Sequence, residues 1–441
     1  MKVLFLCGGI GKRMFPITED KFLLTFLGKT LLEHQIETAR KAGLDQFVIV
    51  GNNGNIDKIK RITAGIPDID VGYAIQENPL GIANAIECAR DLLEDEIIIS
   101  NPNDIFDTSA YVNLLQAHKE HDSLAYILGY QVNEYFPGGY LVTDHEDILT
   151  GIIEKPGKGN EPSDLVNILI HLHTDVTALL EHITRVQTER DDVYECAIDA
   201  LVHGSKEVRV VPYSGTWEAI KYPWHIFTVV KHFLDDASEY ISPSAVISEK
   251  ATIGGKVIIG DNVKIFENAV VKGPVYIGPN SVVGNNSLVR AYSHIGADCV
   301  VGFSTEVKGS YLSDGCWSHM SYIGDSILGE RCSLGAGTML ANWRFDEKNI
   351  SVKIKGEMID SKLDKFGSII GSDCKTGVNV SVMPGVKVGP GSIIGSHVCL
   401  TEDLEPGKMI LPESRGIVTR NIYREKESTA EQRMKKLRCV E

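Results

Sequence analysis

The chain has 441 residues, room for two or three domains, and 43% of them are hydrophobic, enough to fill packed cores. A formal net charge of −15 excludes broad nucleic-acid binding, which needs a basic surface, but leaves room for a small anionic substrate in a local pocket of Lys and Arg. Nine scattered cysteines without CxxC spacing read as free thiols, "MKVLFLCGG" lacks a signal-peptide core, and no apolar run is long enough to span a bilayer, so a cytoplasmic protein without membrane contact is expected.

The first elements alternate. "KVLFLC", "QFVIVG" and "DEIIIS" are short apolar runs of buried-strand type. Between and after them, "LLEHQIETARKAG" (with Gly43 past its end), "LGIANAIECARDLL" and "TSAYVNLLQAHKEH" carry helical periodicity. Strand, helix, strand at this spacing predicts an α/β domain with a mainly parallel sheet over residues 1–236. The first strand runs into "GGIG". Glycines there suit either a tight strand-to-helix turn or a nest of backbone N–H groups around phosphate. Arg13 and Lys21, two cations close by, favour the phosphate, because a triphosphate needs its charge neutralised during attack.

From about residue 237 the period changes. Every sixth residue from Ile241 to Val307 is Ile or Val, twelve positions without a miss. A six-residue period fits a β-helix whose short faces each send one aliphatic side chain into a shared interior. Glycine often follows, as at Gly254, Gly260, Gly278, Gly284, Gly296 and Gly302, and is expected to let the chain bend at the corners. The register breaks at Ser313 and resumes at Leu328, Leu334 and Leu340. The polar stretch "NWRFDEKNISVKIKGEMIDSKLDKF" then intervenes before Ile370, Val382, Val388, Ile394 and Leu400 resume it, with Thr376 off type. Such an insertion predicts a surface loop, often a binding loop. The β-helix is expected over 237–412, and a basic tail, solvated or packed in an oligomer, over 413–441.

"GGIGKRMFPITEDKFLLTFLGKTLLEHQIE" resembles the opening of the sugar-phosphate nucleotidylyltransferases, with Gly8, Gly9, Gly11, Arg13 and Lys21 on the family pattern. Asp20 stands where that family usually has proline and Lys12 where it has threonine. The resemblance implies a Rossmann-like domain that joins UTP or dTTP to a sugar 1-phosphate, with pyrophosphate leaving and Mg²⁺ as cofactor. It places Gln76 and Gly81 at a pyrimidine, Asp104 of "NPNDIFD" at magnesium, and Gly139, Glu154, Lys155 and Asn167 at the sugar phosphate. The family's late motif, roughly Trp-x-Asp-Ile-Gly-x-Pro-Trp, reads "TWEAIKYPW" here. Ala219 takes the position of the second metal-binding aspartate. Glu218 precedes it, and strand alternation points that side chain to the opposite face. One carboxylate suffices for an ion that keeps waters and takes phosphate ligands.

The second half is similar to the acetyltransferase domain of bifunctional sugar-phosphate nucleotidylyltransferases, through "VKGPVYIG", "SHMSYIGDSILGERCSLGAGTMLAN", "VKIKGE" and "GSIIGSDCKTGVNVSVMPGVKVG". That resemblance implies a left-handed coil, a homotrimer with sites between its β-helices, and acetyl-CoA as co-substrate. It makes His319 the general base for N-acetylation of an amino-sugar 1-phosphate and puts Tyr322, Asn342 and Lys348 around the sugar phosphate. Two other readings stay open. The β-helix serves only as a trimerisation scaffold, or the whole chain is a non-catalytic subunit that senses sugar nucleotides.

Overall fold

The computed structural model describes residues 1–9, 11–186, 188, 192–202 and 207–413; the basic tail expected at 413–441 lies, apart from Glu413, outside the described residues. The N-terminal part is a mixed sheet flanked by helices. Its centre is parallel: Lys2–Leu6 pairs with Gln46–Gly51 and Ile97–Ser100, and Gln46–Gly51 with Asp70–Ile75. These strands are apolar on both faces because helices cover both. Leu165–His173 runs antiparallel to Ile97–Ser100 and carries the sheet on to Ala125–Gln131, Gly139–Thr143 and Leu149–Glu154. The helix Leu31–Lys41 starts where the sequence predicts. Thr30 accepts from the Glu33 N–H while the Glu33 carboxylate accepts from the Thr30 N–H, a reciprocal cap.

From Tyr240 the chain winds as a triangular left-handed β-helix, its three faces being parallel sheets. Ile241, Ile259, Ile277 and Ile295 stack one coil above another, as do Ile247, Ile265, Val283 and Val301. From Ile259 and Ile265 onward their side chains form one continuous buried core; Ile247 packs on its end and Ile241, at the first coil, is exposed. Four thiols join it: Cys299, Cys316, Cys332 and Cys374 are free and buried, and the last three lie 3.1–3.2 Å from carbonyl oxygens of Gly329, Gly371 and Gly389 respectively.

Three expectations are sharpened or corrected by the structure. The six-residue register does break at Ser313, but the coil does not. Leu312 stacks on Ile295, Ser318 on Val301 and Ile323 on Val307, so the steps Val307–Leu312, Ser318–Ile323 and Ile323–Leu328 are five residues long and the coil continues. The glycines do not make the bends either. Corner residues in the left-handed region are Asn262, Asn268, Asn280 and Asn286, with φ of 57–60°, which asparagine tolerates better than most residues. Apart from Gly254, these glycines are needed for close approach, since a Cβ on Gly278 would lie 2.5 Å from the backbone of Gly296 in the next coil.

The third correction concerns the insertion. It is not a free loop. Ser351–Ile354 and Glu357–Asp360 form an antiparallel hairpin, and Ile350, Val352, Ile354 and Phe366 are buried between the two halves of the molecule. This inter-domain core also takes Trp224, Ile226, Val229 and Val230 from the helix His225–Asp236 and its lead-in. From one outer face of the β-helix come Tyr276, Tyr311, Ile327 and Ile369. That face is apolar outside as well as inside because the α/β domain sits on it.

Candidate functional sites

The glycine loop opens at the C-terminal end of Lys2–Leu6, where a parallel sheet leaves a crevice for a ligand. Two clefts meet there, sharing Leu6, Gly9 and Asn103. A cavity of ≈ 430 Å³ is lined by Gly8, Gly9, Lys12, Gln76 and Gly81, and one of ≈ 200 Å³ by Gly9, Gly11, Asp20 and Lys21. The loop, its lysine and the two base-reading residues of the expectation therefore surround one opening. Gly8 has a steric reason: a Cβ there would lie 2.1 Å from Gln76 Oε1. Gln76 is buried and donates both amide hydrogens, to the Gly81 carbonyl (3.0 Å) and to Asn84 Oδ1 (2.9 Å), which leaves Oε1 as its free acceptor among the described residues. Asp20, in the proline position, accepts from Asn55 Nδ2 at 2.8 Å; its pKa is raised, chiefly by burial.

Asp104 begins the short strand Asp104–Phe106, which pairs with Trp217–Ala219 in a register that sets Ala219 opposite Asp104. Trp217 Nε1 donates to Asp104 Oδ2 at 3.2 Å, so the even-spaced Trp217 and Ala219 share its face while Glu218 pairs with Ile105. Burial raises the Asp104 pKa to about 6, against the opposing pull of the Trp217 hydrogen bond and of the ammonium groups of Lys21 and Lys221. Burial also lowers the Lys21 and Lys221 pKa values. Among the described residues no cluster of three His, Cys, Asp or Glu builds a metal cage. Asp104 alone fits an ion that arrives already bound by a triphosphate, which supplies most of its ligands. Lys221 is the residue sequence reasoning missed, although a lysine at the glycine position of the late motif was a readable signal.

On the neighbouring strands, Glu154 pairs with Gly139, and a Cβ on Gly139 would lie 2.7 Å from Glu154 Oε1; Lys155 follows with φ 47°. Asn167 Oδ1 accepts from His171 Nε2 at 2.9 Å, and His171 Nδ1 and His173 Nε2 share the Tyr194 hydroxyl at 2.7 and 2.9 Å. Burial pushes both histidines down to about 3, so they stay neutral and hold the Asn167 amide in one orientation.

On the β-helix, His319 stands exposed at a corner, its Nδ1 3.3 Å from where a Gly302 Cβ would be. Tyr322 starts the next strand, Tyr322–Gly324. At the far end of that strand Asp325 binds both Lys308 Nζ and Asn342 Nδ2. His319 and Asn342 thus occupy opposite corners of one face with Tyr322 between them. Lys348 lies exposed in the segment before the hairpin, its N–H 3.4 Å from Asp346 Oδ1.

Residues 2–220 match the nucleotidyl transferase family, and residues 256–291 and 367–402 match the bacterial transferase hexapeptide family of six repeats. The chain is 37% identical over 425 residues to the bifunctional protein GlmU of Methanococcus maripaludis, covering 95% of this chain and 99% of that one. It is 34% identical over 412 residues to the bifunctional sugar-1-phosphate nucleotidylyltransferase/acetyltransferase of Sulfurisphaera tokodaii, covering 90% and 98%. A third relative, the bifunctional protein GlmU of Methanocaldococcus jannaschii, is 32% identical over 413 residues, covering 93% and 97%. With the triphosphate-type cleft at one end and the hexapeptide coil at the other, the chain belongs to the family of bifunctional sugar-1-phosphate nucleotidylyltransferase/acetyltransferase enzymes.

Proposed function

We propose that the α/β domain joins a nucleoside triphosphate, UTP or dTTP, to a sugar 1-phosphate, and that the β-helix N-acetylates an amino-sugar 1-phosphate from acetyl-CoA. The observation that carries the first half is the convergence of Gly8, Gly9, Gly11, Lys21, Gln76 and Gly81 on adjoining clefts above Asp104. The free Oε1 of Gln76 suits the N3–H of uracil or thymine; cytosine carries no hydrogen there.

The chain's role is to position and to neutralise. The sugar-phosphate oxygen attacks the α-phosphorus in line, the bond to the β-phosphate oxygen breaks, and pyrophosphate leaves with the electron pair. Backbone N–H groups of the glycine loop hold the phosphates, Arg13 faces the leaving pyrophosphate and Lys21 the α-phosphate. Asp104 would hold a magnesium ion accompanying the triphosphate, and that ion would supply charge neutralisation at the phosphates. Gly139, Glu154, Lys155 and Asn167 bind the sugar phosphate. At the second site His319 takes the proton from the amine as the nitrogen attacks the thioester carbonyl; the acyl C–S bond then breaks, the CoA thiolate leaves with the electron pair and takes up that proton, and Tyr322, Asn342 and Lys348 hold the sugar phosphate. The exposed setting of His319 favours a homotrimer in which a second copy closes the pocket.

A matrix of sugar 1-phosphates against triphosphates, read by pyrophosphate release and by thiol release from acetyl-CoA, tests both halves. No turnover with any pair overturns the first; His319→Ala is expected to abolish acetylation and spare nucleotidyl transfer. Equal loss of both would assign His319 a structural role.

A further inference from the structure

The nucleotidyl-transfer site holds more positive charge than its carboxylates explain. Lys221, on the connection after the strand Trp217–Ala219, is half-buried, and it lies within electrostatic range of Asp104, Arg13, Lys155 and Glu154. Its place is set by an aromatic wall. Lys221 Nζ sits 3.9 Å from the centroid of the Phe136 ring, Phe136 meets Trp217 edge-on at 5.1 Å, and Trp217 Nε1 donates to Asp104. His225 Nδ1, 2.7 Å from the Ala219 carbonyl oxygen to which it donates, anchors the backbone between the strand and the helix His225–Asp236.

Lys21 and Lys221 therefore gather around one half-buried carboxylate, with the exposed Arg13 within electrostatic range of both lysines. Among the described residues Lys221 has no carboxylate within ion-pair distance. Partly desolvated like charges without partners are costly unless an anion completes the cluster. The two departures from the late motif are also complementary in sign: Ala219 removes a carboxylate and Lys221, at the glycine position, adds a cation beside the same aspartate.

We infer that Lys221 is a polyphosphate-binding residue of this site, and that its ammonium takes over part of the charge neutralisation which a second metal-binding carboxylate would assign to the divalent ion. The inference rests on the nucleotidyl-transfer reading for the site's location but requires no turnover. Binding of triphosphate should accordingly depend weakly on magnesium.

The test is calorimetric binding of inorganic tripolyphosphate to the full chain, in EDTA and in excess magnesium, for wild type, Lys221→Gly, Lys221→Met and Lys221→Arg. Wild type is expected to bind in EDTA. The Gly and Met variants should weaken that binding about tenfold or more, roughly the 1.4 kcal/mol of one lost charged contact, and lose less in magnesium; Arg should restore it. Met retains the apolar stem on Phe136, so a loss in Gly that Met does not share is a packing effect and overturns the inference, as does unchanged binding in both. If tripolyphosphate binding responds to Lys221 while no sugar 1-phosphate turns over, the proposed activity fails and this inference stands. Turnover with binding indifferent to Lys221 overturns the inference and leaves the proposed activity standing.

Discussion

At the scale of single residues, the first site is built from close approaches. Gly8 is a glycine because Gln76 Oε1 occupies the space of a Cβ. Gln76 cannot swing away without giving up its bonds to Gly81 and Asn84. Gly8→Ala is therefore expected to displace the base-reading amide and lower kcat/KM for nucleotidyl transfer at least tenfold, from an overpacking cost of about 1–3 kcal/mol, with acetyl transfer unchanged; initial rates of both reactions on one preparation check it. Asp104 adds a pH dependence. With its pKa raised to about 6 by burial, this carboxyl is protonated in mild acid, so under the proposed function a ligand for the incoming ion is present only above that range. The rate of nucleotidyl transfer in magnesium, rather than triphosphate binding, should fall as pH drops through about 6, and Asp104→Asn should remove that step from the residual rate. The sign for stability is the reverse: a carboxyl with a raised folded pKa contributes stability below its unfolded value that is lost as pH rises through about 6.

At the scale of elements, the hairpin Thr25–Thr30 links catalysis to architecture. It follows the segment that carries Lys21, and the β-helix holds it: Tyr311 Oη donates to the Thr25 carbonyl at 2.9 Å and His294 Nε2 accepts from the Leu27 N–H at 3.2 Å. His294 is stacked between Tyr276 and Tyr311, with ring centroids 4.8 and 4.7 Å away, and Phe26 meets it edge-on. Burial lowers its pKa to about 4, which keeps it a neutral acceptor. A base with a depressed folded pKa contributes stability that is complete above its unfolded value, near 6.5, and lost as pH falls towards 4. His294→Gln, which keeps an acceptor, should flatten the urea-measured stability slope between those pH values by up to about 1.4 kcal/mol per pH unit. An unchanged slope would place the protonation elsewhere.

At the scale of the whole molecule, the two halves share a core and are not beads on a linker. Trp224, Ile226, Val229, Val230, Val352 and Phe366 are buried in the joint, and each fully buried side chain of this kind is worth about 1.5–3 kcal/mol. Residues 1–236 alone are expected to associate through the exposed face of His225–Asp236, which size-exclusion chromatography would show; a monodisperse monomer would contradict it. Much of this design was legible in the residues. The Ile and Val repeat specified a β-helix because one aliphatic residue per face is all a coil needs to fill its interior. Glycine and lysine at loop spacing marked residues that line adjoining clefts, because a loop after a strand is local in the chain. What the chain order concealed were contacts between residues far apart. The five-residue steps after Val307 keep the coil in register only because neighbouring coils hydrogen-bond to them. The polar insertion hides its apolar side until Trp224 and Phe366 meet. Lys221 acquires meaning only when strand pairing brings Trp217–Ala219 against Asp104 across more than a hundred residues, because charge acts through space and not along the sequence.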